Sequence, residues 1–265
     1  MLATILRWSF VLLLLPAMAR HQVMVERHAL ARHWRLILVL GTVGFTGFNA
    51  PLYLGASTTT AVNIGMIQGT MPALVLAGSF FAYRTPFTLL QVAGLVVALL
   101  GVVVTVSHGD LELLRSLQIR PGDLWVLLAC FMYGAYTVAL RRRPRLSAIA
   151  FFAGLSVAAF ISTLPLVWLE MLAGASRWPG PKGWMILAFL AIGPSLVSQL
   201  FYMRGVELIG PGRAGLFVNL VPVFAAGLAV LLLGETFAPY HAVALVLVLA
   251  GIALAEIGKP RAPVP

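Results

Sequence analysis

Long apolar runs separated by short polar breaks fill the chain from end to end. A membrane-crossing helix needs about 20 mostly apolar residues. The runs predict nine such helices, over residues 2–19, 36–55, 60–82, 88–107, 122–140, 147–169, 184–203, 211–233 and 238–257. The longest connections, 20–35, 108–121 and 170–183, are too short for a separate domain. Lipid offers no partner to a bare N–H or C=O, so a helix, which satisfies both internally, is the expected form of each run. No run alternates apolar and polar residues in the manner of a membrane β-strand.

The polar breaks carry a second pattern. Nine spans place alternate connections on opposite sides. One side then holds Arg20, Arg27, Arg32, Arg35, Arg84, Arg141, Arg142, Arg143, Arg145, Arg204, Arg213, Lys259 and Arg261, and the other Arg7, Arg115, Arg120, Arg177 and Lys182, a split of thirteen against five. The richer side is expected to be cytoplasmic. A misplaced helix would have scrambled the asymmetry, so it also supports the count.

Composition agrees with this picture. The chain of 265 residues is 61% hydrophobic and 10% charged, against about 25% charged in an ordinary soluble domain. The net charge of +10 comes from short basic clusters between apolar runs, without a nucleic-acid motif around them. The single cysteine, Cys130, lies inside an apolar run and reads as a small packing residue. Residues 1–19 end in Ala17-Met18-Ala19, similar to a signal-peptide cleavage site. No soluble domain follows, so a retained helix is expected.

Residues about 150 apart correspond. Gly55 meets Gly205, Gly65 meets Gly215, Pro72 meets Pro222, Gly101 meets Gly251, Asn49 meets Gln199, and Pro16 meets Pro165 at 149. Paired helices then run in opposite directions, an inverted-topology repeat of the kind common in secondary transporters. Helix 122–140 has no partner, and its partner would precede residue 1.

The segments Tyr53 to Val104 and Tyr202 to Glu256 each contain a small-residue turn, a mid-helix proline, a short polar loop and a glycine-bearing last helix. The second has Gly234-Glu235 at its loop where the first has Tyr83-Arg84. Both resemble the core of an EamA domain, and together they resemble the drug/metabolite transporter superfamily over nearly the whole chain. The resemblance implies an all-α polytopic membrane bundle of about nine helices in two inverted repeats, with the first helix of the family's usual ten missing. The first repeat is expected over 1–107, the second over 122–257, and a cytoplasmic tail over 258–265. A natural reading frame that begins upstream is the corresponding expectation.

Proline lacks an N–H, so Pro72 and Pro222 are expected to free the carbonyls of Gln68 and Val218. Such a kink either lines a substrate path or is satisfied by a neighbouring helix, and its presence in both copies favours the path. Asn49, Gln68, Gln199 and Asn219 are deep amides on the four helices of the repeat core. They either bind helices together or share a cavity that reads a polar solute. Tyr53, Tyr133 and Tyr202 are further candidates for substrate contact, although aromatic residues near interfaces are common anchors. Arg7 either snorkels to the interface or attracts an anionic substrate. Glu235 and His241 lie close in sequence and form a candidate gate or coupling site, with a solvated turn as the plainer reading.

The reading is a transporter for a small metabolite or drug-like solute in the cell (inner) membrane. It works by alternating access, with the substrate site between the repeats near the midplane. The alternatives are a channel or structural membrane subunit and a membrane-embedded enzyme. No H-E-x-x-H or G-x-S-x-G motif supports the last. The expected partners are a small-molecule substrate and the lipid bilayer, with a homodimer allowed and no nucleic acid. No metal or cofactor is expected. None of the eight acids and five histidines is predicted near the midplane, which favours facilitated diffusion or exchange, or coupling through Glu235 or His241.

Overall fold

The computed structural model describes residues 1–233 and 238–258. Among them, eight helices are long and apolar enough to cross a membrane. Segment 211–233 is a further helix, interrupted by a 3-10 turn at Phe217–Asn219. In chain order the helices are α1 Leu2–Val25, α2 Trp34–Ala56, α3 Ala61–Tyr83, α4 Leu89–Val106, α5 Pro121–Arg142, α6 Ala148–Leu172, α7 Pro181–Ile209, α8 211–233 and α9 Pro239–Ile257. No strand occurs among the described residues. The architecture is a polytopic all-α membrane bundle in two inverted-topology repeats.

Two boundaries differ from expectation. Residues 20–35 are not an open loop. Helix α1 continues to Val25, a short helix spans Arg27–Arg32, and α2 starts at Trp34. The stretch has no glycine or proline to stop it, and polar residues end an apolar run without ending a helix. Helix α7 likewise overruns the expected 184–203 at both ends.

The chain divides into two compact units, Met1–Ala50 with Ala139–Leu208, and Pro51–Val138 with Ile209–Pro265. Each unit draws helices from both repeats. The first packs α1 and the body of α2 on α6. Trp8 stacks on Phe45 at 4.8 Å between ring centroids, and Phe152 meets Phe45 edge-on at 6.2 Å. All three side chains are buried. The Thr46 hydroxyl donates to the Ala159 carbonyl at 3.2 Å and lies 2.6 Å from the Ser162 hydroxyl, bridging α2 to α6. At one end, the Glu26 carboxylate accepts from the N–H and hydroxyl of Ser147 at 3.0 Å. Glu207 accepts from Arg143 at 2.8 Å and Arg204 at 2.7 Å.

Both long repeat helices of this unit contain a π-helical turn, Thr42–Thr46 in α2 and Ala191–Val197 in α7. The two turns correspond at the repeat spacing. Such wide turns are rare and cluster at functional sites.

In the second unit, α4 and α9 are repeat counterparts that lie against each other. A Cβ on Gly94 would come within 2.5 Å of the Gly251 carbonyl and the Ala255 nitrogen. Only glycine permits this approach, the usual device where lipid-embedded helices have no hydrophobic drive to associate. Their starts also correspond. Thr88 and Gln91 form a capping box on α4: the Thr88 Oγ1 accepts from the Gln91 N–H at 3.2 Å, and the Gln91 Oε1 accepts from the Thr88 N–H at 3.1 Å. On α9, Ala238 has no side-chain acceptor, so only the return half survives, with the Ala238 N–H donating to the His241 Nδ1 at 3.0 Å.

Helix α5 is tied to the same unit near its start. Asn63 donates to both Asp123 oxygens, at 3.1 and 2.9 Å, and to the Gln118 carbonyl at 3.0 Å. Thr59 donates to the same carboxylate. Gly55 lets α2 close on α5, because a Cβ there would meet the Gly122 carbonyl at 2.7 Å. Its repeat counterpart, Gly205, has nothing described within 4 Å of such a Cβ.

Candidate substrate cavity

The two mid-helix prolines shape the site. Helix α3 is interrupted at Thr70, just before Pro72. The Thr70 N–H and hydroxyl both reach the Ile67 carbonyl, at 3.0 and 2.6 Å. A backbone N–H at the break also reaches the Gln68 carbonyl. In α8 the 3-10 turn at Phe217–Asn219 precedes Pro222, and N–H groups at its end reach the carbonyls of Phe217 and Val218. The expected free carbonyls of Gln68 and Val218 are therefore a misreading. A tightened turn recruits nearer N–H groups, as helices commonly do where the regular ladder fails. What the interruptions leave open is space rather than bare carbonyls.

That space is a cavity of about 150 Å³ within the second unit. Gly65, Gln68, Gly69 and Val102 line it from the first repeat, and Val218, Asn219, Val221 and Pro222 from the second. Asn219 is 1% exposed, and neither its Nδ2 nor its Oδ1 has a hydrogen-bond partner among the described residues. Leaving such a group unsatisfied costs about 1–3 kcal/mol. Gln68 is half-buried beside it. A Cβ on Gly69 would fall 2.9 Å from Val102, so the wall closes there without a side chain. Among the described residues, no ionisable side chain lines the cavity.

Three of the candidates, Gln68, Asn219 and Pro222, thus meet at one cavity. Pro72 is buried in the same unit, above the break in α3. Tyr133 is half-buried on α5, its ring 5.6 Å from that of Tyr136. Tyr53 is 41% exposed. Asn49, Gln199 and Tyr202 belong to the other unit. Asn49 is occupied: its Oδ1 accepts from Arg7 at 2.9 Å, and its Nδ2 donates to the Phe45 carbonyl at 2.7 Å. Arg7 also lies 5.7 Å from the Trp8 ring centroid, so it turns inward instead of snorkelling. His241 caps α9, at the position that corresponds to Gln91. Glu235 lies outside the described residues. Sequence reasoning missed the glycines of the wall. Their signal was available, because Asn219 corresponds to Gly69 and Gln68 to Val218: each amide falls at a position the other repeat leaves apolar.

The pattern of the EamA-like transporter family matches residues 1–107 and 120–256. The chain belongs to the EamA-like transporter family. It is an integral, multi-pass membrane transporter. This EamA-like chain is 27% identical to the uncharacterized transporter YyaM of Bacillus subtilis over 245 residues, which cover 90% of this chain and 78% of that one. It is also 27% identical to the uncharacterized inner membrane transporter YicL of Salmonella typhimurium, over 85% of this chain and 74% of that one. A protein of known crystal structure superposes with a TM-score of 0.80 at 22% identity, covering 97% of this EamA-like chain and 87% of its own. That likeness concerns the fold alone.

Proposed function

We propose that this transporter is a carrier in the cell membrane. It would move a small solute by alternating access, with the cavity beside Gln68 and Asn219 as part of the substrate site. The observation that carries the reading is the paired interruption of α3 and α8. Gln68 lies seven residues into α3 and Asn219 eight residues into α8, roughly 10–12 Å from each helix start at about 1.5 Å per residue. The helices run in opposite directions, so both amides come near the middle of a hydrocarbon core about 30 Å thick. Interrupted helices at that depth are the usual setting of a substrate site in inverted-repeat transporters. A channel needs a continuous path, whereas equivalent interruptions in two repeat helices suit a carrier that exchanges two related states.

None of the described cavity-lining groups titrates, which favours exchange or facilitated diffusion over proton coupling. Reconstitution into liposomes tests the whole reading. Counterflow of a transported solute should saturate, and an imposed pH gradient should not drive its accumulation. Unsaturable conductance would make the protein a channel. Strong gradient-driven accumulation would remove the uncoupled mechanism, and its survival in a Glu235→Gln, His241→Ala double variant would also remove coupling through those two residues.

A further inference from the structure

Asn219 is the one carboxamide among the described buried side chains of the second unit that lack a partner, beside the hydroxyls of Ser79 and Ser107. A buried carboxamide normally finds partners, and this one, almost fully buried, has none among the described residues at either atom. Its position adds to the case. The repeat spacing sets Asn219 against Gly69 and Gln68 against Val218, so both amides of the cavity break the internal symmetry. Asymmetry alone decides nothing, since Asn63 also bonds Asp123 in one copy only. An amide that breaks the symmetry, lines a cavity and has no partner among the described residues is what points to a bound solute.

The wall also says what sort of solute. A carboxamide offers an acceptor oxygen beside donor hydrogens, and its complement is the same pair reversed. The other lining groups are glycine, valine and proline, which offer a charge no counter-charge. A charged group entering would lose its hydration without compensation. The volume of about 150 Å³ leaves room for a small polar head. Building on the carrier reading above, we propose that the cavity selects solutes that travel uncharged and present a donor and an acceptor side by side, as in a carboxamide, a cyclic ureide or a nucleobase edge.

The test uses the full chain in lipid nanodiscs, with neutral probes paired with charged analogues: nicotinamide with nicotinate, and uracil with orotate. At least one neutral probe should raise the thermal unfolding midpoint saturably, and its charged analogue should bind at least tenfold more weakly. Asn219→Leu should weaken the neutral probe at least tenfold while leaving the unliganded midpoint unchanged or higher, because leucine removes an unsatisfied amide at similar volume. Should Asn219→Leu fail to fold, Gln68→Leu gives the same comparison. No stabilisation by either neutral probe, as expected of a cavity that holds water only, overturns the proposal. Equal or tighter binding of the charged analogues that Asn219→Leu still abolishes sinks the solute class and keeps the site. Binding untouched by Asn219→Leu sinks the site itself.

Discussion

His241 and Gln91 occupy corresponding positions and do the same work. Each accepts the N–H of the residue three places earlier, at the start of α9 and of α4. A neutral glutamine suffices in one repeat, so the role needs an acceptor and no proton. His241→Gln should therefore keep stability within about 0.5 kcal/mol and leave transport intact. Loss of transport with unchanged stability would support the gate reading of this histidine. Asn49 makes the opposite case. Its amide binds Arg7 and Phe45, so Asn49→Ala should cost stability, about 0.6 kcal/mol and at most ~2 as such bonds do within membranes. Gln68 instead lines the cavity, and Gln68→Ala should depress transport with little change in the midpoint. Transport rates and thermal unfolding, measured on the same three preparations, separate these outcomes. From the sequence alone the four amides looked alike, because depth in a hydrophobic run says nothing about the neighbour across the helix.

The nine runs of apolar residues located the helices because hydrocarbon imposes both length and composition. Irregularities inside them were less legible. The π-helical turn at Thr42–Thr46 contains Gly44 among β-branched residues, and its counterpart at Ala191–Val197 contains Gly193 and Pro194. These residues weaken a regular helix, but local propensity does not say that the turn will widen, and the matched widening emerges only when the repeats are compared in three dimensions. The prolines announced their interruptions but not how the turn would tighten to reach the carbonyls. Repeat symmetry also misleads where helix neighbours differ. Gly55 sits under the Gly122 carbonyl, whereas its counterpart Gly205 has nothing described within 4 Å of the place a Cβ would take. Gly94→Ala should force α4 from α9 and cost about 1–3 kcal/mol, the usual penalty of overpacking. Gly205→Ala should be neutral or stabilise by up to about 1 kcal/mol, because it lies inside a helix with nothing described within 4 Å of the new Cβ. Equal losses in thermal unfolding would show that the close approach does not set these two positions apart, since helix propensity alone favours alanine and would raise both midpoints.

At the level of the whole molecule, sidedness follows from the thirteen-to-five division of basic residues. Contacts inside the first unit agree with it, since Glu26 meets Ser147 and Arg143 meets Glu207, pairs assigned to one side. Cysteines introduced within 20–35 and 141–146 should be labelled only from the cytoplasm, and those within 108–121 and 170–183 only from outside. Labelling of 141–146 from outside would reject the arrangement. The interleaving of the two units has a further consequence, in time. Phe45 and Phe152 share one aromatic cluster, yet the first unit is assembled from residues on both sides of the segment 51–138. At a synthesis rate of roughly 5–20 residues per second, the face that carries Trp8 and Phe45 waits on the order of 5–20 s for Phe152 to leave the ribosome. During that interval α1 and α2 depend on lipid, or on the insertion machinery, to cover surfaces that the finished protein keeps for itself.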